Sequence, residues 1–297
     1  MLLLLNQDNF LITSTNIRVL DRIVKIFRDI PSIRTHLQNL PSIAFVPTMG
    51  NLHAGHLALI KQAKQLSSEV VVSIFVNRLQ FLPHEDFSRY PRTIEQDCLL
   101  LEELNVNTIF IPDEKILFPT HQEFLLALPP IADTLEGKFR PGFFRGVTTI
   151  ILKLFNIIQP DLAIFGKKDY QQLYMVQEMV KQLNFPIEII AGETVRASDG
   201  LALSSRNQYL DQSQRIEASN LYQTLLHIKK EIISSNKDFR VLQEEVTQQL
   251  TERGWKVDYV QICDRASLSP ACHRTEPLVV LVAAWLAKTR LIDNMEV

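Results

Sequence analysis

Between residues 42 and 190 the sequence keeps changing its period, and that alternation leaves few folds open. Residues 42–46, Ser-Ile-Ala-Phe-Val, read as a strand closed by Pro47, and His56, Ala58, Leu59, Ile60 and Ala63 follow at helical spacing. Residues 70–76 read as a buried strand, and Thr93 to Gln96 as a capping box opening a helix to about Leu104. A strand at 107–111 ends at Pro112, a helix spans 147–158, and strand, helix and strand follow at 161–165, 169–183 and 187–190. Strands alternating with helices in this way predict an α/β fold, a doubly wound parallel sheet with helices on both faces.

Past residue 195 the rhythm changes. Two long helices are expected at 212–233 and 239–253, the second stopped by Gly254, with strands at 256–262 and 278–282. The expected organisation is therefore a larger Rossmann-like domain over 24–194 and a smaller C-terminal α+β domain over 195–297. Residues 24–27 read as strand, and residues 1–23 as a loosely ordered N-terminal extension.

At 297 residues, 46% hydrophobic and 22% charged, the chain has enough apolar surface for two cores. A formal net charge of −2 gives no field for recruiting nucleic acid or an anionic membrane, so the expected partner is a small molecule. Cys98, Cys263 and Cys272 are too few and too scattered for a disulfide framework, which fits a reducing cytoplasm. The apolar residues 1–5 are shorter than a signal-peptide core, and no run reaches the roughly 18 apolar residues of a spanning helix, so neither secretion nor membrane insertion is expected.

Glycine is scarce, nine in all, and eight of them lie between Gly50 and Gly200. A glycine-poor chain keeps glycine where backbone geometry or close approach requires it, so the site is sought there. Between the first strand and first helix stands Thr48-Met49-Gly50-Asn51-Leu52-His53-Ala54-Gly55-His56, at the end of the sheet where ligands bind. Two imidazoles three residues apart, beside free N–H groups at a helix start, suit a polyphosphate and a departing pyrophosphate. The same pair also reads as part of a zinc site or as surface histidines, although no nearby third ligand completes a zinc set.

Three further clusters stand at comparable junctions. Gly166-Lys167-Lys168-Asp169, followed by Gln172, offers cations for phosphate, a carboxylate to cap a helix and an amide for the crevice; its plainer reading is a solvated lysine pair. Leu203-Ser204-Ser205-Arg206 offers hydroxyls and a cationic fork suited to a triphosphate, or simply a capped turn. Asn77 and Gln80 end a strand and present amides to an uncharged, partly apolar substrate, or are ordinary loop amides. The basic stretch from Arg140 to Gly146 reads as a mobile lid or as a turn.

Together these stretches resemble the pantoate–beta-alanine ligase (pantothenate synthetase) family, from about Lys25 to the C-terminus. The resemblance is carried by PTMGNLHAGH at 47–56, SIFVN and QF within 73–81, EDFSRYPRT at 85–93, FRGV at 144–147, KLFNIIQPDLAIFGKKDYQQL at 153–173, DGLALSSRN at 199–207 and VAAWLAKTRLIDN at 282–294. It implies a Rossmann-like, nucleotidyltransferase-type domain with a smaller C-terminal domain, paired as a homodimer. The implied reaction has two steps: ATP and (R)-pantoate give pantoyl adenylate and pyrophosphate, then beta-alanine displaces AMP to give pantothenate.

Carried over by position, Met49, Gly50, Asn51, Leu52, His53, Ala54, Gly55 and His56 would bind ATP, with His56 as proton donor. Gly166, Lys167, Lys168, Asp169, Val195, Leu203, Ser204, Ser205 and Arg206 would complete the nucleotide site, and Lys168 would join the two histidines in catalysis. Gln80, Gln172, Asn77 and Thr48 would serve the acid and amine substrates. Mg²⁺ would be held mostly by phosphate and water, with Asp97 as the candidate carboxylate.

Three positions depart from the family: Arg78 where proline is usual, Lys167 where acidic or neutral residues are common, and Phe143 where histidine is usual. The first two are expected to add positive charge near the anion site. Two rival readings stay open. A nucleotidyltransferase passing AMP to a phosphate would want cations, not Asn77, Gln80 and Gln172, around its acceptor. A lapsed nucleotide-binding scaffold would have lost His56 or Lys168.

Overall fold

The computed structural model describes residues 24–275 and 277–297; the expected extension at 1–23 lies outside them. In chain order the elements are β1 (Lys25–Phe27), α1 (Ile30–Leu37), β2 (Ile43–Thr48), α2 (Ala54–Leu66), β3 (Glu69–Ile74), α3 (Ile94–Glu103), β4 (Thr108–Phe110), α4 (Glu114–Leu117), α5 (Glu136–Phe139) and α6 (Phe143–Ile158). They continue with β5 (Leu162–Gly166), α7 (Tyr170–Gln182), β6 (Glu188–Gly192), α8 (Gln212–Ala218), α9 (Asn220–Ser234), α10 (Phe239–Glu252), β7 (Trp255–Asp264), β8 (Leu278–Leu286) and β9 (Thr289–Glu296).

Six strands form a wholly parallel sheet in the order β1-β4-β3-β2-β5-β6. Alternate residues of each strand face opposite sides, so each face of the sheet receives its own core. Phe45, Val71 and Phe110 pack on one face with Ile33 of α1, Leu154 and Phe155 of α6 and Val176 of α7. Ala44, Val46, Val72 and Ile109 pack on the other with Ile60 and Ala63 of α2 and Leu101 of α3.

The chain reverses its winding between β2 and β5. These strands pair only at Ala44 with Leu162 and Phe45 with Ala163, so their C-terminal ends part and open a crevice. Pro47 was expected to close the first strand, but β2 runs through it to Thr48. Ile43 exchanges hydrogen bonds with Asp161, and Thr48 accepts from Phe75 on the β3 side. By alternation Pro47 therefore points toward β5, where pairing has already ended, and its missing N–H costs no ladder bond.

Several other expectations need correction. Thr93 precedes α3 but makes no cap; its hydroxyl donates to Asp97 instead, at 3.1 Å. The helix expected at 212–233 breaks at Ser219, whose hydroxyl donates to the Ile216 carbonyl. The segment from Phe143 to Gly146 is the first turn of α6, not a lid. Arg140 is buried, donating to both Glu85 oxygens at 2.6 and 2.8 Å and to the Gln80 carbonyl at 3.1 Å.

The second sheet is antiparallel, β7-β8-β9, and β9 was not expected. Leu225 and Ile228 of α9, Leu242 and Val246 of α10, Trp255, Val280 and Val282 form its core. Among the described residues no helix is long and apolar enough to cross a membrane, and Cys98, Cys263 and Cys272 are free.

Candidate active site

The crevice where β2 and β5 part is a single cavity. Its walls carry Thr48, Met49, His53, Gly55, His56, Asn77, Gln80, Gly166, Lys168, Asp169, Gln172, Val195, Leu203, Ser204, Ser205 and Arg206. Clusters separated by more than a hundred residues thus meet, and Ser205 Oγ donates directly to the Asn51 carbonyl at 3.3 Å. Gly50, Asn51, Leu52, Ala54 and Lys167 are not on the walls.

The histidines are set by their own backbone. His53 is the N-cap of α2; its Nδ1 accepts from Gly55 N at 3.1 Å, while His56 Nδ1 accepts from His53 N at 3.2 Å. An acceptor Nδ1 carries no proton, so each neutral ring has its proton on Nε2. The rings lie 4.0 Å apart between centroids. Burial, then the Lys168 ammonium, lowers His53 to about 4; burial, then His53 and Lys168, lowers His56 to about 3. Both are neutral N–H donors at pH 7. A Cβ on Gly55 would stand 2.9 Å from His53 Cε1, so only glycine leaves this ring in place.

The helix start presents fewer free amides than the sequence argument expects: the imidazoles take the N–H groups of His53 and Gly55. Nor does Asp97 face the cavity. It is buried beneath the loop, where its two carboxylate oxygens accept from Asn51 N at 2.9 Å and Leu52 N at 2.8 Å. Thr48 is likewise spent within the fold, its hydroxyl donating to the Ser73 carbonyl at 2.7 Å.

On the opposite wall Lys168 reaches the cavity, its ammonium 3.9 Å from Asp169. Asp169 makes no side-chain cap for α7. Arg206 donates its fork to Asp86 at 2.9 and 3.1 Å, and Ser204 accepts from Arg206 N. Lys167 turns away to Glu193 and Glu296, and Arg78 pairs with Glu114 on the surface. Both unusual cations are therefore neutralised by carboxylates and neither stands on the cavity wall, which corrects the expectation that they enrich its charge.

The third wall is amide and apolar. Gln80 donates to Met49 Sδ and accepts from Asn77, which is 1% exposed and also donates to the Gly146 carbonyl. Gln172 adds a second amide. Val147, Ile150, Ile151 and Leu154, one face of α6, join Phe75 and Phe143 as an apolar floor, and Tyr90 adds its ring beside Ser205. Helical spacing marks 147, 150, 151 and 154 as a buried face, but cannot tell a core from the floor of a cavity. Tyr90 gave no signal of its own beyond lying in a matched segment, and Arg140 was read only as the start of a lid or turn.

Neutral donors, a lysine and paired hydroxyls around a crevice at the reversal of a parallel sheet define an α/β enzyme of the nucleotidyltransferase type. The profile of the Pantoate-beta-alanine ligase family matches residues 25–296, and the chain belongs to that family. Its relatives include the pantothenate synthetase of Nitrosomonas europaea, 59% identical over 91% of this chain and 98% of the relative. The Nitrosospira multiformis pantothenate synthetase is 58% identical over 92% and 98%. Among solved structures, a pantothenate synthetase from Thermus thermophilus matches with TM-score 0.87 and 39% identity over 92% of this chain and 99% of that one. The Francisella tularensis pantoate–beta-alanine ligase, complexed with beta-gamma ATP and beta-alanine, matches with TM-score 0.75 and 34% identity over 92% and 98%.

Proposed function

We propose that this enzyme activates (R)-pantoate with ATP as pantoyl adenylate, releasing pyrophosphate, and that beta-alanine then displaces AMP to give pantothenate. The observation that carries the reading is the single cavity whose walls bring His53, His56, Lys168 and Ser204 to Arg206 together with Gln80 and Gln172. A carboxylate is a poor acyl donor and AMP a good leaving group, so catalysis rests on positioning and charge stabilisation without an enzyme nucleophile. The Nε2–H groups of His53 and His56 and the Lys168 ammonium meet the triphosphate. Charge building on pyrophosphate strengthens the hydrogen bonds from both Nε2–H groups; a proton passed on by His56 is matched by one taken up from solvent as that charge raises the ring's basicity, so the ring ends neutral. Gln80 and Gln172 hold the polar end of pantoate, and the α6 floor receives its branched carbon chain.

An acceptor phosphate would call for free cations where these amides stand; the nearest, Arg140, is already held by Glu85. Among the described residues no three His, Cys, Asp or Glu groups converge to hold a metal. Mg²⁺ would arrive with ATP, held mostly by phosphate oxygens and water, and would neutralise charge on the phosphates. Residues 24–194 act as the catalytic domain and 195–297 as its partner. Homodimer formation is supported by Phe124, 92% exposed beside the half-exposed Leu125 in a stretch outside helix and strand. The test is ATP–pyrophosphate exchange that requires pantoate, followed by AMP release on adding beta-alanine. Exchange without pantoate would assign a different acceptor.

A further inference from the structure

The 3-10 turn Lys167–Asp169, which carries Lys168 into the cavity, is fastened from the far end of the chain. Asn294 in β9, 5% exposed, donates one amide hydrogen to the Lys167 carbonyl at 2.8 Å and the other to the Lys168 carbonyl at 2.9 Å. Two residues further along the same strand, Glu296 accepts from Lys167 Nζ at 3.0 Å and from the Tyr170 hydroxyl at 2.9 Å. Asn294 is itself anchored. Its N–H donates to Asp293 Oδ1 at 2.7 Å, and Arg196 joins the Asp293 carboxylate at 2.6 and 2.9 Å and the Asn294 carbonyl at 3.1 Å.

We infer that Asn294 is a positioning residue for the phosphate-binding lysine, so that the C-terminal sheet takes part in adenylation by fixing the backbone beneath Lys168. This rests on the ATP-dependent reading above. A lysine stem is long and flexible, and its ammonium approaches Asp169 only at 3.9 Å. What the fold controls is the root of the side chain and the direction in which it leaves the backbone. An amide has the two donors needed to hold consecutive carbonyls; a carboxylate of the same size has none and would set its charge against both oxygens.

The test compares Asn294→Asp with wild type in pantoate-dependent ATP–pyrophosphate exchange and in calorimetric binding of β,γ-methylene ATP. Misplacing a phosphate contact should lower exchange kcat roughly 30- to 100-fold and weaken the analogue about tenfold, while KM for pantoate stays within about threefold. Combining Asn294→Asp with Lys168→Ala then separates positioning from general damage. A residue acting through Lys168 adds little to the loss of analogue binding already caused by Lys168→Ala, whereas independent effects multiply. Multiplying losses, or normal exchange in Asn294→Asp, overturn the inference. If that variant does not fold, Asn294→Ser, which keeps one donor, carries the same cycle. Wild-type enzyme lacking pantoate-dependent exchange would count against the reaction itself; intact wild-type exchange with an unaffected variant counts against Asn294 alone.

Discussion

The two polar walls of the cavity are built in different ways. The histidine wall is local: residues 47–56 form strand end, turn and helix start, and the bonds that orient each ring come from residues two or three positions away. The cationic wall is assembled at a distance: Asn294 reaches back 127 and 126 residues to the carbonyls of Lys167 and Lys168, and Arg206 reaches 120 residues to Asp86. A local wall forms whenever its strand and helix form. The turn that carries Lys168 is held only when β9 is docked, so that part of the grip on phosphate depends on the C-terminal sheet.

The largest break in this comparison is His56→Ala. Removing a preorganised donor typically costs roughly 100- to 1,000-fold in rate, and pantoate-dependent exchange should fall by that much with circular dichroism unchanged. Near-normal exchange would remove His56 from the mechanism. Next comes acid. The unfolded chain protonates these imidazoles below about 6.5, whereas the folded protein resists until about 4 for His53 and about 3 for His56. The unfolded state therefore binds more protons across that window. The stability held in the neutral rings is complete above about 6.5 and drains as pH falls toward the folded values. Imidazole Cε1–H resonances followed by NMR should show neither ring titrating between about pH 8 and 5; a midpoint near the ordinary value of about 6.5 for either would mean a wetter wall than the structure has.

Two smaller changes strike one wall each. At Gly146 an added Cβ would sit 2.1 Å from the Leu79 carbonyl oxygen and 2.7 Å from Gln80 N, backbone that cannot swing aside. Gly146→Ala should cost about 1–3 kcal/mol in urea unfolding and raise KM for pantoate through Gln80, with ATP-analogue binding little changed. Asp97→Ala leaves the Asn51 and Leu52 N–H groups without their acceptor, worth about 1–3 kcal/mol, and loosens the histidine loop. KM for ATP should rise while the Mg²⁺ concentration for half-maximal exchange holds. A shift in the magnesium requirement alone would return Asp97 to the metal.

The difference between the walls also sets what the sequence made legible. Alternating periods revealed the parallel sheet, and the contiguous Met49 to His56 run lay where a strand meets a helix, so fold class and histidines could be read together. β9 escaped because buried Thr289, Asp293 and Asn294 interrupt the apolar pattern that marks a strand, and those polar residues are buried because they bind other segments. Polarity misled in the opposite direction at Thr48, Asn77 and Asp97: residue type announced a hydrogen bond, and only coordinates showed the partners to be groups of the protein itself, mostly its backbone. The Arg140 to Gly146 stretch read as a lid or a turn because glycine and charge usually mean a loop; residues 140–142 do turn into α6, but Arg140 is a buried brace and Gly146 a point of close packing, so nothing there is a lid.

The smallest expected effect concerns a residue that charge alone would enlist in the cationic wall. Arg78 has a side chain 62% exposed, pairs with Glu114 at 3.1 Å, and lies over the Phe87 ring at 4.4 Å, outside the cavity. An exposed pair of this kind contributes about 0.2–1 kcal/mol, and salt screens its field beyond about 8–10 Å. Arg78→Ala should therefore leave KM for ATP within about twofold at physiological ionic strength and cost less than about 1 kcal/mol in stability. If KM instead rises about tenfold at low salt and the rise disappears at high salt, the field of Arg78 reaches the triphosphate after all. The distant wall would then owe part of its charge to the surface, whereas a salt-independent null result leaves that wall to Lys168 and the residues that hold it.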